Sequence, residues 1–134
     1  MPVEKERPAI LIVDDDDLLR SFYQRIMEKQ GYCAITCADG EDAFKMLKDD
    51  DLQISLAIID LLLPFRTGWE LIEYMKKEPR YKDVPVVAIT GLAASFEEFE
   101  KINKICDAVI QKGDFEIDQF SSMIKNLLEK KKSS

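Results

Sequence analysis

Five short apolar runs divide this chain, and a segment with the spacing of an amphipathic helix follows each of them. The runs hold four to seven residues, which suits strands better than helices, and they are almost entirely apolar. Strands without a polar face belong to parallel sheets that helices cover on both sides. We therefore predict an α/β fold: a doubly wound, flavodoxin-like parallel sheet of five strands in the order 2-1-3-4-5, with helices on both faces. The predicted strands are residues 9–13, 32–37, 56–60, 84–90 and 108–111, and the predicted helices are residues 16–31, 39–50, 68–78, 95–105 and 116–132.

The length and composition favour one domain. With 134 residues and 46% apolar content, residues 1–134 should form a single domain with a core at about residues 8–128, a short charged N-terminus and a basic C-terminal tail. The formal net charge of −7 disfavours binding to nucleic acid or to an anionic membrane. No run approaches the ~18 apolar residues that a membrane helix needs.

The absence of histidine and the spacing of the cysteines exclude several classes of catalytic and metal-binding site. The chain contains no histidine, which excludes Ser-His-Asp and Cys-His catalysis, imidazole zinc sites and an internal phosphohistidine. Its three cysteines lack the spacing of a metal site, so we expect reduced thiols in a cytoplasmic protein. Carboxylates, lysine, threonine and a bound metal are left to carry any chemistry.

Polar side chains stand at the carboxyl ends of four predicted strands. Asp14 and Asp15 follow the first strand and Asp60 ends the third; Thr90 ends the fourth, and Lys112 follows the fifth. Ligands of open parallel sheets bind at this edge, and the predicted strand order makes these four ends neighbours. Three carboxylates so close together repel one another unless a cation neutralises them, and an all-oxygen site suits Mg²⁺.

Four motifs together resemble the receiver domain of bacterial two-component response regulators. They are "ILIVDDDDLLR" at residues 10–20, "IIDLLLPFRTG" at residues 58–68, "VVAIT" ending at Thr90 and "VIQK" ending at Lys112. Pro64 and Gly68 stand four and eight residues past Asp60, which makes the combination specific. The resemblance covers residues 8–128 and is to the single-domain type of receiver.

The resemblance implies a phosphoryl acceptor that works with Mg²⁺. Asp15 and Asp60 would be direct ligands of the ion, and Asp14 would act largely through a bound water. The backbone carbonyl of Leu62 would supply a further oxygen. Asp60 would attack the phosphorus of a phosphohistidine on a sensor histidine kinase or a histidine phosphotransfer protein, while Mg²⁺ and Lys112 hold the transferring oxygens.

The resemblance also implies a switch, with two departures from the family pattern. Thr90 would turn toward the phosphoryl group and report the modification. In the family an aromatic residue three positions before the lysine usually follows this movement, and a proline usually follows the lysine; here these positions are Val109 and Gly113. Leu62 and Leu92 would flank the site with apolar side chains that orient no attacking water, which predicts slow self-dephosphorylation.

The output implied by the resemblance is protein binding. In the family the fourth helix, fifth strand and fifth helix usually form the output surface, which here includes parts of residues 95–105 and 116–128. We expect no attached DNA-binding or enzymatic domain, and a monomer or a weak phosphorylation-dependent dimer. The domain would not be an enzyme, although it would promote its own aspartyl phosphorylation and dephosphorylation.

Two other functions remain open on the sequence. A receiver fold could serve as an unphosphorylated docking module, which the departures at Val109 and Gly113 favour. An enzyme of the haloacid-dehalogenase type could use the pair formed by Asp14 and Asp16 after the first strand, although no cap domain fits in this chain. Asp16 and Asp17 fall where the first helix begins, and we expect them to cap it and to complement its dipole.

Overall fold

The computed structural model describes residues 7–63, 66–91, 95–112 and 116–133, in which strands and helices alternate as predicted. The strands are β1 (Ala9–Val13), β2 (Cys33–Cys37), β3 (Leu56–Asp60), β4 (Val86–Thr90) and β5 (Ala108–Gln111). The helices are α1 (Asp17–Lys29), α2 (Gly40–Leu47), α3 (Gly68–Lys77), α4 (Phe96–Ile105) and α5 (Ile117–Ser133). Strand β4 begins two residues later than predicted, because Pro85 has no N–H to donate to the ladder.

The five strands form one parallel sheet in the order β2-β1-β3-β4-β5, which confirms the predicted topology. Its register pairs Val13 with Ile59, Asp60 with Ile89 and Thr90 with Gln111. The carboxyl ends of β1, β3, β4 and β5 therefore lie side by side at one edge of the sheet. This edge is where the predicted site residues are placed.

The sheet carries a hydrophobic core on each face. Successive side chains of β1 point to opposite faces, so Leu11 and Val13 belong to one core while Ile10 and Ile12 belong to the other. Helices α2, α3 and α4 cover the first core, and helices α1 and α5 cover the second. Full burial of each Leu or Ile contributes roughly 1.5–3 kcal/mol, so these two cores hold the sheet edge in a fixed geometry.

Helix α1 begins immediately after the acidic run. The Asp16 side chain accepts hydrogen bonds from the backbone N–H groups of Leu18 (3.0 Å) and Leu19 (3.1 Å), which makes it the N-cap. Asp17 is the first helical residue, where its charge complements the helix dipole. Both expectations for these aspartates are confirmed.

All three cysteines are free thiols, and no helix among the described residues is long and apolar enough to cross a membrane.

Three positions that the sequence analysis singled out, Pro64, Leu92 and Gly113, lie outside the described residues.

Candidate functional site

The first two aspartates extend strand β1 toward helix α1. Asp14 is fully buried, whereas Asp15 is exposed. The backbone N–H of Asp14 donates to the Cys37 carbonyl (3.2 Å), so the chain still follows β2 at this point. Asp14 Oδ1 accepts the backbone N–H of Asp16 (2.9 Å), but Asp14 Oδ2 is buried and has no hydrogen-bond partner among the described residues. A buried oxygen without a partner is rare in folded proteins, and this one is available as a ligand for a cation.

Asp60 ends strand β3 at the centre of the sheet edge and is only 2% exposed. Its Oδ1 accepts the backbone N–H of Leu62 (3.1 Å), and its Oδ2 accepts a hydrogen bond from Lys112 Nζ (2.7 Å). The same Nζ lies 3.7 Å from Asp14 Oδ1. One ammonium group therefore contacts two buried carboxylates.

The three carboxylates form one electrostatic group. Asp14, Asp15 and Asp60 each bring an oxygen within 4.8 Å of the other two. Burial raises the pKa of Asp14 to about 6; the backbone N–H of Asp16 opposes this rise, and the negative charge of Asp60 adds to it. Burial lowers the pKa of Lys112, but its hydrogen bond to Asp60 and the surrounding carboxylates outweigh that effect, so its pKa is raised. The lysine therefore stays charged and offsets part of the negative charge.

These donors fit the predicted Mg²⁺. Three carboxylates and one ammonium leave an excess of negative charge, and Mg²⁺ prefers oxygen ligands in sites of this kind. The unpartnered Oδ2 of Asp14 offers an oxygen that no described protein group uses. The backbone of Leu62 is held beside Asp60 by its N–H, while the role of its carbonyl as a ligand stays a prediction.

Thr90 comes to the same edge on strand β4, and it is linked to the lysine through the backbone. The N–H of Lys112 donates to the Thr90 carbonyl at 2.9 Å, which continues the β4–β5 ladder past the end of β5. Thr90 is buried, and its hydroxyl donates to the Gly91 carbonyl at 3.4 Å. The hydroxyl is therefore engaged within its own loop, and its role as a switch stays a prediction.

Val109, the first departure from the family pattern, is half-buried on strand β5. It lines a cleft of about 250 Å³ between helices α4 and α5, together with Phe99, Phe120 and Met123. The predicted output surface therefore has an open cleft beside Val109, where the family usually has an aromatic side chain.

The sequence analysis missed Arg20, which supports the acidic loop from helix α1. Its Nη1 donates to the backbone carbonyl of Asp14 (2.9 Å), and its Nη2 forms an ion pair with Asp17 Oδ1 (2.6 Å). The spacing of Asp17 and Arg20, three residues apart on a helix, was a usable signal for the ion pair. The contact with Asp14 depends on the path of the loop and had no such signal.

Residues 10–125 match the family described as the response regulator receiver domain, which is most of the chain. The chain belongs to this family. The matched span of this receiver domain contains all five of the predicted side chains at the sheet edge.

Similar proteins contain the receiver domain both within longer chains and nearly alone. The chain is 32% identical over 126 residues to Histidine kinase P4 of Formosa agariphila, which covers 94% of this chain and 9% of the kinase. It is 26% identical to the polar-differentiation response regulator DivK of Brucella anthropi, covering 90% of this chain and 95% of DivK. The first two curated relatives are matched over only 9% and 11% of their own length.

A solved structure confirms the fold of this receiver domain. The CheY-like response regulator receiver domain protein of Methanospirillum hungatei superposes with a TM-score of 0.83 and 28% sequence identity. The superposition covers 96% of this chain and 98% of that one. The five-stranded, doubly wound architecture is therefore that of CheY-like receivers.

Proposed function

We propose that this receiver domain is a phosphoryl-accepting switch in two-component signalling. Asp60 takes a phosphoryl group from a phosphohistidine on a partner protein, and the modified domain then binds a different protein. The observation that carries this proposal is the 2.7 Å contact of Asp60 Oδ2 with Lys112 Nζ inside a buried group of carboxylates. Phosphoryl transfer needs mainly positioning and charge stabilisation, and a nucleophile fixed beside a cation meets both needs.

We propose that Mg²⁺ completes this site. Asp15 and Asp60 would hold the ion directly, Asp14 would hold it largely through water, and the Leu62 backbone carbonyl would add an oxygen. When bound, the ion supplies positive charge that neutralises the carboxylates and the transferring oxygens. The excess of negative charge and the unpartnered oxygen of Asp14 support this assignment.

The residues of this chain would divide the transfer step among them. A carboxylate oxygen of Asp60 forms a bond to phosphorus while the phosphorus–nitrogen bond of the donor breaks, and the bonding electron pair leaves on the imidazole nitrogen. The Leu62 N–H holds Asp60 Oδ1 and so orients the carboxylate. Lys112 shifts its hydrogen bond from the carboxylate to a phosphoryl oxygen and stabilises the charge there. The burial of Asp60 limits access of water to the site.

The read-out would begin at Thr90. After modification of Asp60, its hydroxyl leaves the Gly91 carbonyl and donates to a phosphoryl oxygen, which draws the loop after β4 inward. Since the Lys112 N–H is bonded to the Thr90 carbonyl, this movement reaches β5 through the backbone. The surface of α4, β5 and α5 would then present its altered form to a downstream protein, with the cleft beside Val109 in place of a swinging aromatic ring.

The phosphodonor would be a sensor histidine kinase or a histidine phosphotransfer protein, because this chain has no histidine of its own. The similarity to a protein named as a histidine kinase and to a response regulator supports a role in that class of signalling.

We also propose a location and an oligomeric state. Three free thiols favour the cytoplasm. The chain would be a single domain that is a monomer or a weak phosphorylation-dependent dimer.

Two features disfavour a dehalogenase-type nucleophile on the first strand. Asp16, one of the two carboxylates of that pair, is engaged in capping helix α1. Lys112 Nζ lies closer to Asp60 Oδ2 (2.7 Å) than to Asp14 Oδ1 (3.7 Å), so the cation that would stabilise the transferred group favours Asp60 as the nucleophile.

Incubation with acetyl phosphate and Mg²⁺ tests the proposal. Intact mass spectrometry should show one added phosphoryl group on the wild type, no addition in EDTA, and no addition on Asp60→Asn. Asp83→Asn is the matched control, because Asp83 is an exposed aspartate outside the site and should be labelled normally. An unmodified wild type that still binds a partner would favour the docking module, and steady release of phosphate from small esters would favour an enzyme.

A further inference from the structure

Arg66 lies in the loop after Asp60, and it contacts both helices next to that loop. Its guanidinium carbon stacks 4.0 Å from the centre of the Phe44 ring on helix α2. Its Nη1 forms an ion pair with Glu70 Oε2 on helix α3 (3.2 Å), and its Nε lies 3.5 Å from Glu41 Oε2 on helix α2. The side chain is 29% exposed, although Nε itself is buried without a completed hydrogen bond among the described residues. An arginine in the loop between strand β3 and helix α3 is thus held on three sides.

The backbone of the same loop is closed at its base and pressed against helix α2. The N–H of Gly68 donates to the Leu61 carbonyl at 3.0 Å, which joins the two ends of the loop. A Cβ at Gly68 would overlap the carbonyl oxygen of Asp60, and a Cβ at Gly40 would overlap the carbonyl oxygen of Arg66. The loop therefore touches the end of strand β3 at one point and the start of helix α2 at the other.

We propose that Arg66 is a positioning residue that fixes the loop after Asp60 against helix α2 and so keeps the Leu62 carbonyl in place for Mg²⁺. This inference rests on the proposed function. Leu62 belongs to the closed loop, and its N–H is bonded to Asp60 Oδ1 (3.1 Å), so a shift of the loop moves both Leu62 and the nucleophile. Misplacement of a ligand by a fraction of an ångström weakens a metal site that demands near-octahedral geometry.

The chemistry of arginine explains why this position needs that side chain. The flat guanidinium can stack on the Phe44 ring while its edge contacts Glu41 and Glu70, which a lysine ammonium cannot do at the same time. Phe44 is itself packed edge-on against Tyr74 with ring centres 5.0 Å apart, so the stack is anchored to helix α3 as well. These contacts of Arg66 therefore tie the loop after Asp60 to helices α2 and α3, which the hydrophobic core already holds in place.

The test compares Mg²⁺ affinity, measured by calorimetry, and the rate of acetyl phosphate labelling in matched arginine variants. Arg66→Met should bind Mg²⁺ about tenfold more weakly and label more slowly at limiting Mg²⁺, with the rate restored at saturating Mg²⁺. Removal of a positive charge near an acidic site would by itself strengthen Mg²⁺ binding, so a weakened affinity reports on position rather than on charge. Arg66→Lys should fall between the wild type and Arg66→Met.

Arg80→Met is the control for general loss of stability. Arg80 also stacks on an aromatic ring, at 4.6 Å from the centre of Tyr81, and donates to four backbone carbonyls, one at the last residue of α2 and three in the segment after it. Because these contacts do not involve the loop after Asp60, the substitution Arg80→Met should leave the Mg²⁺ affinity unchanged.

Equal Mg²⁺ affinities for Arg66→Met and Arg80→Met would overturn the inference while leaving the proposed function intact. A wild type that neither binds Mg²⁺ nor accepts a phosphoryl group would contradict the proposed function and the inference with it. If Arg66→Met fails to fold, Arg66→Lys and Glu41→Gln replace it, and wild-type affinity in both would overturn the inference.

Discussion

The substitution Asp14→Asn should stabilise the receiver domain when no metal is present. Asp14 is fully buried, and its pKa is raised from 3.8 to about 6, mainly by burial and further by the charge of Asp60. At 1.36 kcal/mol for each pKa unit, the charged form costs about 3 kcal/mol of folding stability at neutral pH. Asparagine removes this charge and keeps an oxygen that can accept the Asp16 N–H. The raised pKa already includes the opposing attraction of Lys112 at 3.7 Å, and burial of the amide NH2 that replaces Oδ2 costs part of the gain, so we expect a net gain of roughly 1–3 kcal/mol.

The gain should depend on pH in a defined direction. A carboxyl whose pKa is higher in the folded state binds its proton more tightly there, so folding stability falls as the pH rises from about 3.8 to about 6. Below this window Asp14 is protonated in both states and costs nothing. The advantage of Asp14→Asn over the wild type should therefore be small in acid, increase through the window and level off near neutral pH.

Urea unfolding in EDTA and in saturating Mg²⁺ provides the assay. Asp14→Asn should be more stable than the wild type in EDTA, while Asp83→Asn, an exposed control, should match the wild type. Mg²⁺ at 100 times its dissociation constant stabilises a protein that binds it by about 2.7 kcal/mol, and the variant should gain clearly less. A variant that is less stable than the wild type in EDTA, or that gains as much from Mg²⁺, would refute the reasoning.

Three further substitutions test other parts of the account. Gly68→Ala should lower the free energy of unfolding by about 2–4 kcal/mol, because the added Cβ overlaps the Asp60 carbonyl, whereas Gly91→Ala has open space and should change it little; urea unfolding distinguishes them. Leu62→Asn should shorten the lifetime of the phosphoryl label, since an amide can orient water where an exposed leucine cannot; equal decay rates would count against this. Lys112→Met should slow labelling by acetyl phosphate by at least tenfold at saturating Mg²⁺, because Asp60 loses its 2.7 Å cationic partner; an unchanged rate would remove the lysine from the transfer step.

Much of the fold could be predicted because its signals are local and repeated. Five apolar runs, each followed by a helical pattern, determine an alternating α/β chain, and strands that are apolar on both faces determine a covered parallel sheet. In such a sheet the carboxyl ends of the strands share one edge. The side chains of Asp14, Asp60 and Lys112 are thus brought together by topology, although 52 residues separate the last two.

The details of the site depend on contacts that no local pattern encodes. Asp14 and Asp15 are adjacent and chemically identical in the sequence, yet one is fully buried and the other exposed, because only Asp14 continues the hydrogen bonding of β1 to β2. The contacts of Arg66 join the loop after Asp60 to helix α3, which follows it directly, and to helix α2, which precedes strand β3. The path of the loop determines these contacts, and periodicity carries no information about that path.

The central claim is that Asp60 accepts the phosphoryl group. Labelling with acetyl phosphate and Mg²⁺, followed by borohydride reduction of the aspartyl phosphate and peptide mapping by mass spectrometry, locates the modified side chain. The account predicts that the reduced residue is at position 60, and that the label is absent in EDTA. A label at Asp14, Asp15 or any other residue, or a label at position 60 that forms equally well without Mg²⁺, would contradict it.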